Sequence, residues 1–264
     1  LRGLGFESRI LINKINKKMK KVLIALLVIT TLSATAQESV LLRLNYTKGD
    51  SFLVTTESNQ SMGAQGGMNM KMTMGMIVAD VEEEIIKTES QITSIVMDMM
   101  QGGMTMNYDS NKSDEELDQM GQMLKSQFAP MMEAVIYNTL DHQGNMIDTK
   151  LDPAIPGMEQ ITNRSMNAIN YPKEKVSVGS SWSSESENQG MNMTTKYTVS
   201  SIADGFVTLD VSGDMSGAAG TGTIKGKTTI DISTGISNNS EIEMTIATQG
   251  MNITGTTKVT VSKM

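Results

Sequence analysis

The sequence predicts a mainly β protein of the α+β kind: an antiparallel curved sheet or open half-barrel made of two meanders, with one or two covering helices. Three observations carry that expectation. Gly66–Met76 reads GGMNMKMTMGM, with Met68, Met70, Met72, Met74 and Met76 at every second position. In a strand this period puts five thioethers on one wall and leaves Asn69, Lys71, Thr73 and Gly75 on the other. After Tyr171-Pro172 apolar and polar residues alternate almost without interruption, as in antiparallel strands with one wet face. Between these stretches a single segment switches to a helical period.

In chain order, residues 1–18 read as upstream translated sequence ahead of Met19. Lys20-Lys21, the apolar run Val22–Leu32 and the small-residue site Ala34-Thr35-Ala36 form a signal-peptide pattern over 19–36. A run of about eleven apolar residues is too short to span a bilayer core of roughly 30 Å. Export with cleavage after Ala36 is therefore expected, leaving 37–264 as a single β-rich domain without a transmembrane segment. Its parts are a first meander over 37–112, a helical and hairpin insert over 113–169, and a second meander over 170–264.

Val40–Thr47 reads as a strand, Lys48-Gly49-Asp50 as a turn and Ser51–Ser58 as the return of a first hairpin. Gly63–Gly67 leads into the methionine strand, which ends where Val81–Glu84 breaks the pattern. Ile85–Met100 reads as one long strand with Ile95, Met97 and Met99 on one face, and Gln101-Gly102-Gly103 turns it back into Met104–Tyr108. Ser113–Glu116 is a capping box with acids in a first helical turn. Leu117, Met120, Leu124 and Phe128 follow at helical spacing, and Pro130 marks the stop. Their apolar stripe must cover something, and the methionine wall is the nearest candidate. Strands are expected around Ala134–Leu140 and Met146–Lys150, flanking the turn His142–Asn145, and a weaker second helix over Pro156–Ile169. The closing strands carry Met191 to Val199, Val207 to Val211, Ile230 and Ile232, Ile242 to Ile246, and Met251 to Val261. The methionine-glycine echoes at Gly67, Gly103, Gly190 and Gly250 are 36, 87 and 60 residues apart, too irregular for a propeller or solenoid.

Composition narrows the function. There is no cysteine, so neither disulfides nor thiol chemistry are available. Removing residues 1–36 takes the formal charge from 22 − 29 = −7 to 15 − 28 = −13, which argues against nucleic acid and anionic lipid surfaces as partners. Twenty-five methionines against four Phe, five Tyr and one Trp give a soft, adaptable apolar interior. His142, the lone histidine, sits in a turn and is expected to be exposed there; no G-x-S-x-G elbow supplies a serine nucleophile. H-E-x-x-H is absent. Gly222–Thr228 (GTIKGKT) falls short of the phosphate-loop spacing, so Lys225 and Lys227 are expected to face water on a strand. Glu241 and Glu243 share a strand face and read as its solvated side. No enzyme, no cofactor and no catalytic residue are expected.

Leu42-Arg43-Leu44 followed by Lys48-Gly49-Asp50 resembles the opening of an uncharacterised family of exported bacterial β proteins, a domain of unknown function. Pro172–Trp182 resembles that family's midpoint pattern, P-x-x-x-V-x-V-G-x-x-W, with Ser180 where the family often carries Asp. These motifs imply a scaffold and no activity. The element order is also similar to that of periplasmic lipoprotein carriers, whose open half-barrel is lidded by helices.

The expected function is an exported, non-enzymatic binding protein for an apolar ligand such as a lipid, an acyl chain or a hydrophobic peptide. Met68, Met70, Met72, Met74 and Met76 would form the wall and Leu117, Met120, Leu124 and Phe128 the lid. The alternative is an envelope structural or protein-interaction module whose helix and meanders bury their apolar faces against each other. A third reading is Cu(I) held by thioethers, with Met70 and Met72 completed by a methionine from a neighbouring strand. Trp182 is expected to be a core anchor whose indole N–H finds a backbone partner.

Overall fold

A computed structural model describes residues 38–155, 169–188, 190–218, 220–248 and 250–264. The expected signal peptide and most of the expected second helix lie outside the described residues. Residues Ser39–Met264 form one compact unit.

Long strands with period-two burial dominate it. The first meander contains β2 (Ser51–Ser61), β3 (Gly66–Val81), β4 (Ile85–Gln101) and β5 (Met104–Asp109), followed by helix α1 (Gln119–Glu133) and the pair β6 (Val135–Asp141) and β7 (Met146–Asp152). The second runs through β9 (Ser181–Asn188), β10 (Met191–Ala203), β11 (Phe206–Gly217), β12 (Gly220–Asp231), β13 (Ser237–Thr248) and β14 (Met251–Lys263). All pair antiparallel in the order β7-β6-β4-β3-β2-β14-β13-β12-β11-β10-β9, and β5 borders the distal half of β4. The sheet does not close into a barrel. The seam between the meanders is the pairing of β2 with the last strand, β14.

Register is fixed on both faces. On the polar face Asp210, Lys227, Glu241, Lys258, Glu57 and Lys71 stand side by side on successive strands. This alternation of sign opposes a slip of the ladder, and a one-residue slip would also bring the apolar set into water. Lys225 and Lys227 lie on this solvated face, paired to Glu243 at 2.9 Å and Asp210 at 2.5 Å. Gly102 and Gly103, both at positive φ (60° and 82°), make the tight turn between β4 and β5.

The main core sits at one end of the sheet. Phe52, Met76, Val78 and Ile86 from the first meander share it with Val199, Val207, Leu209 and Ile230 from the second. Between them lie two segments that are mostly not strand, Leu41–Thr47 and Ile169–Lys175, which contribute Leu42, Leu44, Ile169 and Tyr171.

Several expectations need correction. Val40–Thr47 does not form a hairpin with β2; only β1 (Ser39–Val40) is strand, and it pairs with β8 (Val176–Ser177). The alternation of Leu42 and Leu44 reflects burial, while their backbone bonds go to loops, Leu44 N–H to the His142 carbonyl and Asn45 N–H to that of Thr234. The helix begins six residues beyond Ser113. Glu116 does accept from the Ser113 N–H and hydroxyl, but that box closes an isolated turn. The true cap is Asp118, whose Oδ1 accepts from Gly121 N–H at 2.7 Å. Pro130 lies inside the last turn, and its carbonyl still accepts from Ala134 N–H. In β4 a bulge at Thr93 lets Ile92 and Ile95, three apart, both face the core.

Candidate functional site

The apolar face of the sheet can be read row by row from the register. Nearest the hairpin tips, Met106, Met99 and Met68 stand abreast on β5, β4 and β3. The row continues through Gln60, Gly255, Met244, Ile224 and Gly213 on β2, β14, β13, β12 and β11. The next row inward carries Tyr108, Met97, Met70, Ser58, Thr257, Ile242 and Gly226. A seam of Gln60 and Ser58 on β2 and Gly255 and Thr257 on β14 thus divides two apolar fields.

The first field is covered. Helix α1 lies on β4 and β5, where Leu117 and Leu124 are buried with Ile92, Ile95, Met97 and Tyr108. Met68, Met72, Met106, Met120 and Phe128 pack around them, and the Phe128 ring lies 5.4 Å from that of Tyr108. The structure therefore brings Met68 and Met72 together with all four expected lid residues. It does not bring the other three there. Met74, 3% exposed, packs with Ala134, Ile136 and Leu151, and Met76, 5% exposed, belongs to the main core. Met70 borders a depression of about 370 Å³ whose other lining includes Glu57, Asn59, Asn69, Lys71, Asp98 and Lys258. Those six occupy the polar face, so this hollow opens on the side of the sheet opposite the methionine wall.

The second field is open. Ile224, Ile242, Met244, Ile246, Met251 and Ile253 are half-buried and belong to no buried cluster among the described residues. Glycines shape this field. A Cβ at Gly213, Gly222 or Gly226 would stand 2.4, 2.5 or 2.0 Å from a carbonyl oxygen of the neighbouring strand, so the strands coil too closely there for any side chain. Sequence reading placed the isoleucines on one face but missed the glycines; their spacing within Gly220–Gly226 was the available signal.

The two segments of the family resemblance meet at the other end. Arg43 donates from Nη1 to the carbonyls of Leu42 and Pro172 (2.6 and 2.7 Å) and from Nη2 to that of Lys173 (2.9 Å). Tyr171 donates its hydroxyl to the Gly235 carbonyl at 2.7 Å, and burial pushes its pKa upward. Asp50 of the K-G-D turn accepts from Thr47 N–H and pairs with Lys263 at 2.6 Å, which holds its carboxyl below the usual range. Ser180 Oγ accepts from Ser177 N–H at 3.0 Å; an Asp there would offer the same acceptor. His142 is half-buried, its Nδ1 2.9 Å from the Leu44 carbonyl, so the lone histidine ties a turn to a loop and is not the exposed turn residue expected. Trp182 stacks on Tyr197 at 5.5 Å, but among the described residues its indole N–H finds no acceptor, contrary to expectation. Both motifs hold the scaffold. Among the described residues no three His, Asp or Glu side chains are placed to hold a metal ion, and no helix is long and apolar enough to cross a membrane.

Fold and site define an open, two-meander antiparallel sheet with one helix over part of its apolar face. The chain belongs to the family of unknown function DUF6263, whose model matches residues 131–262, from the last turn of α1 through nearly all of β14. The Pro172–Trp182 motif falls inside that match and the Leu42–Asp50 segment before it. Comparison with curated proteins gives no match. Among solved structures, one titled "Crystal Structure of Rv2717c from M. tuberculosis" is similar at 7% identity, covering 79% of this chain and 89% of that chain, with a TM-score of 0.27.

Proposed function

We propose that the protein is an exported, non-enzymatic binding protein for an apolar ligand, a lipid or acyl chain, taken up on the open apolar field of the second meander. The observation that supports this is the half-buried set Ile224, Ile242, Met244, Ile246 and Ile253, over which no described residue forms a core. Burial of an acyl chain there gains about 0.8 kcal/mol per CH₂. The methionines and isoleucines adapt to chains of different shape. Helix α1 packs on β4 and β5, so in sheet order β3 and β2 stand between it and this field.

The burial of Leu117 and Leu124 favours a second reading, an envelope structural or protein-interaction module with no small ligand. Native mass spectrometry of the mature protein, purified from the cell envelope without detergent, separates the two. An adduct of lipid mass, lost in an Ile242→Asn/Ile246→Asn variant that keeps its fold, is the expected result. A bare chain that also takes up no added fatty acid or phospholipid would leave the interaction module.

A further inference from the structure

The methionines differ in environment. Met74 and Met97 are 3% and 5% exposed and fill core space. Met68, Met99 and Met106 are only half-buried, yet they occupy one register level of three adjacent strands. β-branched or aromatic residues pair better at such strand positions, so strand pairing alone does not select three thioethers abreast. Met120 of α1 packs into the same cluster as Met68 and Met106, and the helix lies on the strands that carry Met99 and Met106, so a fourth thioether belongs to this neighbourhood. Adjacent strands lie about 4.8 Å apart, so the outer two Cα atoms are roughly 10 Å apart, and unbranched side chains leaning inward can meet over Met99.

We propose that Met68, Met99 and Met106 form a Cu(I) site of three thioether sulfurs, with Met120 in the same neighbourhood. Thioether is a soft, neutral ligand that selects Cu(I) over the harder divalent ions. Each sulfur donates a lone pair to the ion, no bond in the protein breaks, and nothing is oxidised or reduced. The carboxylates nearest in register, Asp98 and Asp109, stand on the opposite face of the sheet by alternation, so the site offers sulfur alone. The proposal is independent of the apolar ligand. It uses the β3–β4–β5 tips, whereas the lipid field lies on β12–β14.

The test is competition for Cu(I), kept reduced with ascorbate, against the chromogenic chelator bicinchoninate. One equivalent of Cu(I) per mature chain is expected. The triple variant Met68→Leu/Met99→Leu/Met106→Leu keeps apolar volume and should lose that equivalent while retaining lipid uptake. A Met191→Leu/Met193→Leu/Met215→Leu variant should keep both. No uptake by the unaltered chain, or uptake undiminished in the first variant, overturns the proposal. A parallel measurement guards against misfolding of the variant. In the unaltered protein carrying ¹³C-methyl methionine, Ag(I), a redox-inert mimic, should shift three or four methyl resonances, assigned by single leucine substitutions. Shifts spread over many methionines, or confined to Met191, Met193 and Met215, also overturn it.

Discussion

The two ends of the sheet obey one sequence rule and reach opposite outcomes. At the packed end, alternating Phe52, Val207, Leu209 and Ile230 are at most 2% exposed because loop segments fill the space over them. At the hairpin-tip end, alternating Ile224, Met244, Ile246 and Ile253 are left half-buried. Alternation specifies a face, and only a second layer turns a face into a core. Stability should therefore concentrate at the loop-filled end. Truncation makes the difference measurable. Phe52→Ala should cost about 3–5 kcal/mol, the range for a buried aromatic. Ile246→Ala should cost under about 1.5 kcal/mol, because less surface returns to water. Urea denaturation checks both, and equal losses would show that the tips are as well packed as the core.

Arg43 gives the next largest effect. Its fork serves three backbone carbonyls, two of them 129 and 130 residues away, and so holds the loop layer in place. Arg43→Met should cost about 1.5–3 kcal/mol, the range for hydrogen bonds from a charged donor. Arg43→Lys should recover only part of it, because an ammonium cannot hold the planar fork's geometry. Amide exchange supplies the location: protection should fall at Leu44 and Tyr171 and stay unchanged at the tips. Loss spread evenly over the sheet would mean that the two ends unfold as one.

Much of this contrast was legible in the residues. The methionine strand, the long β4, the β6–β7 pair and the closing meander follow from period two, and the apolar stripe at 117, 120, 124 and 128 from helical spacing. Leu42 and Leu44 misled because an extended loop buried in a core alternates like a strand, and the partner of a backbone N–H is not written in side-chain pattern. The helix start misled because Ser113–Glu116 and Asp118 both offer caps, and local chemistry alone does not choose between them. The split of the five wall methionines among separate clusters depends on which strand or helix stands opposite each one, information carried by register and not by period.

A pH experiment sharpens the comparison from the packed end. Tyr46 packs against the main core, 5.6 Å from the Phe52 ring, and burial first, then the Asp50 charge, push its pKa up to about 12. The neutral phenol is thus favoured by folding. Its contribution is whole below the unfolded value of 10.0 and is lost as pH rises from there toward 12. Tyr46→Phe should flatten the alkaline fall in stability between those values. Tyr171, also raised by burial, should leave part of the fall in place. An alkaline limb unchanged by the substitution would move Tyr46 out of the core.

The smallest effect concerns a lysine–carboxylate pair in each region. Lys263 and Asp50 pair at 2.6 Å at the packed end, with the Asp50 side chain 13% exposed. Lys71 and Glu57 pair at 3.0 Å partway to the tips, with both side chains more than half exposed. The second pair is screened by water and should couple by under about 1 kcal/mol in a double-mutant cycle, fading as salt is raised. The first should couple more strongly and resist salt. Its acid dependence follows from the lowered carboxyl of Asp50, caused chiefly by the Lys263 hydrogen bond. That contribution is whole above the ordinary value of 3.8 and disappears as pH falls through the depressed folded value, so Asp50→Asn should flatten the acid limb. Equal coupling in the two cycles would mean that the loop layer does not shield its end of the sheet from water, and the distinction between a sealed end and an open one would fail there first.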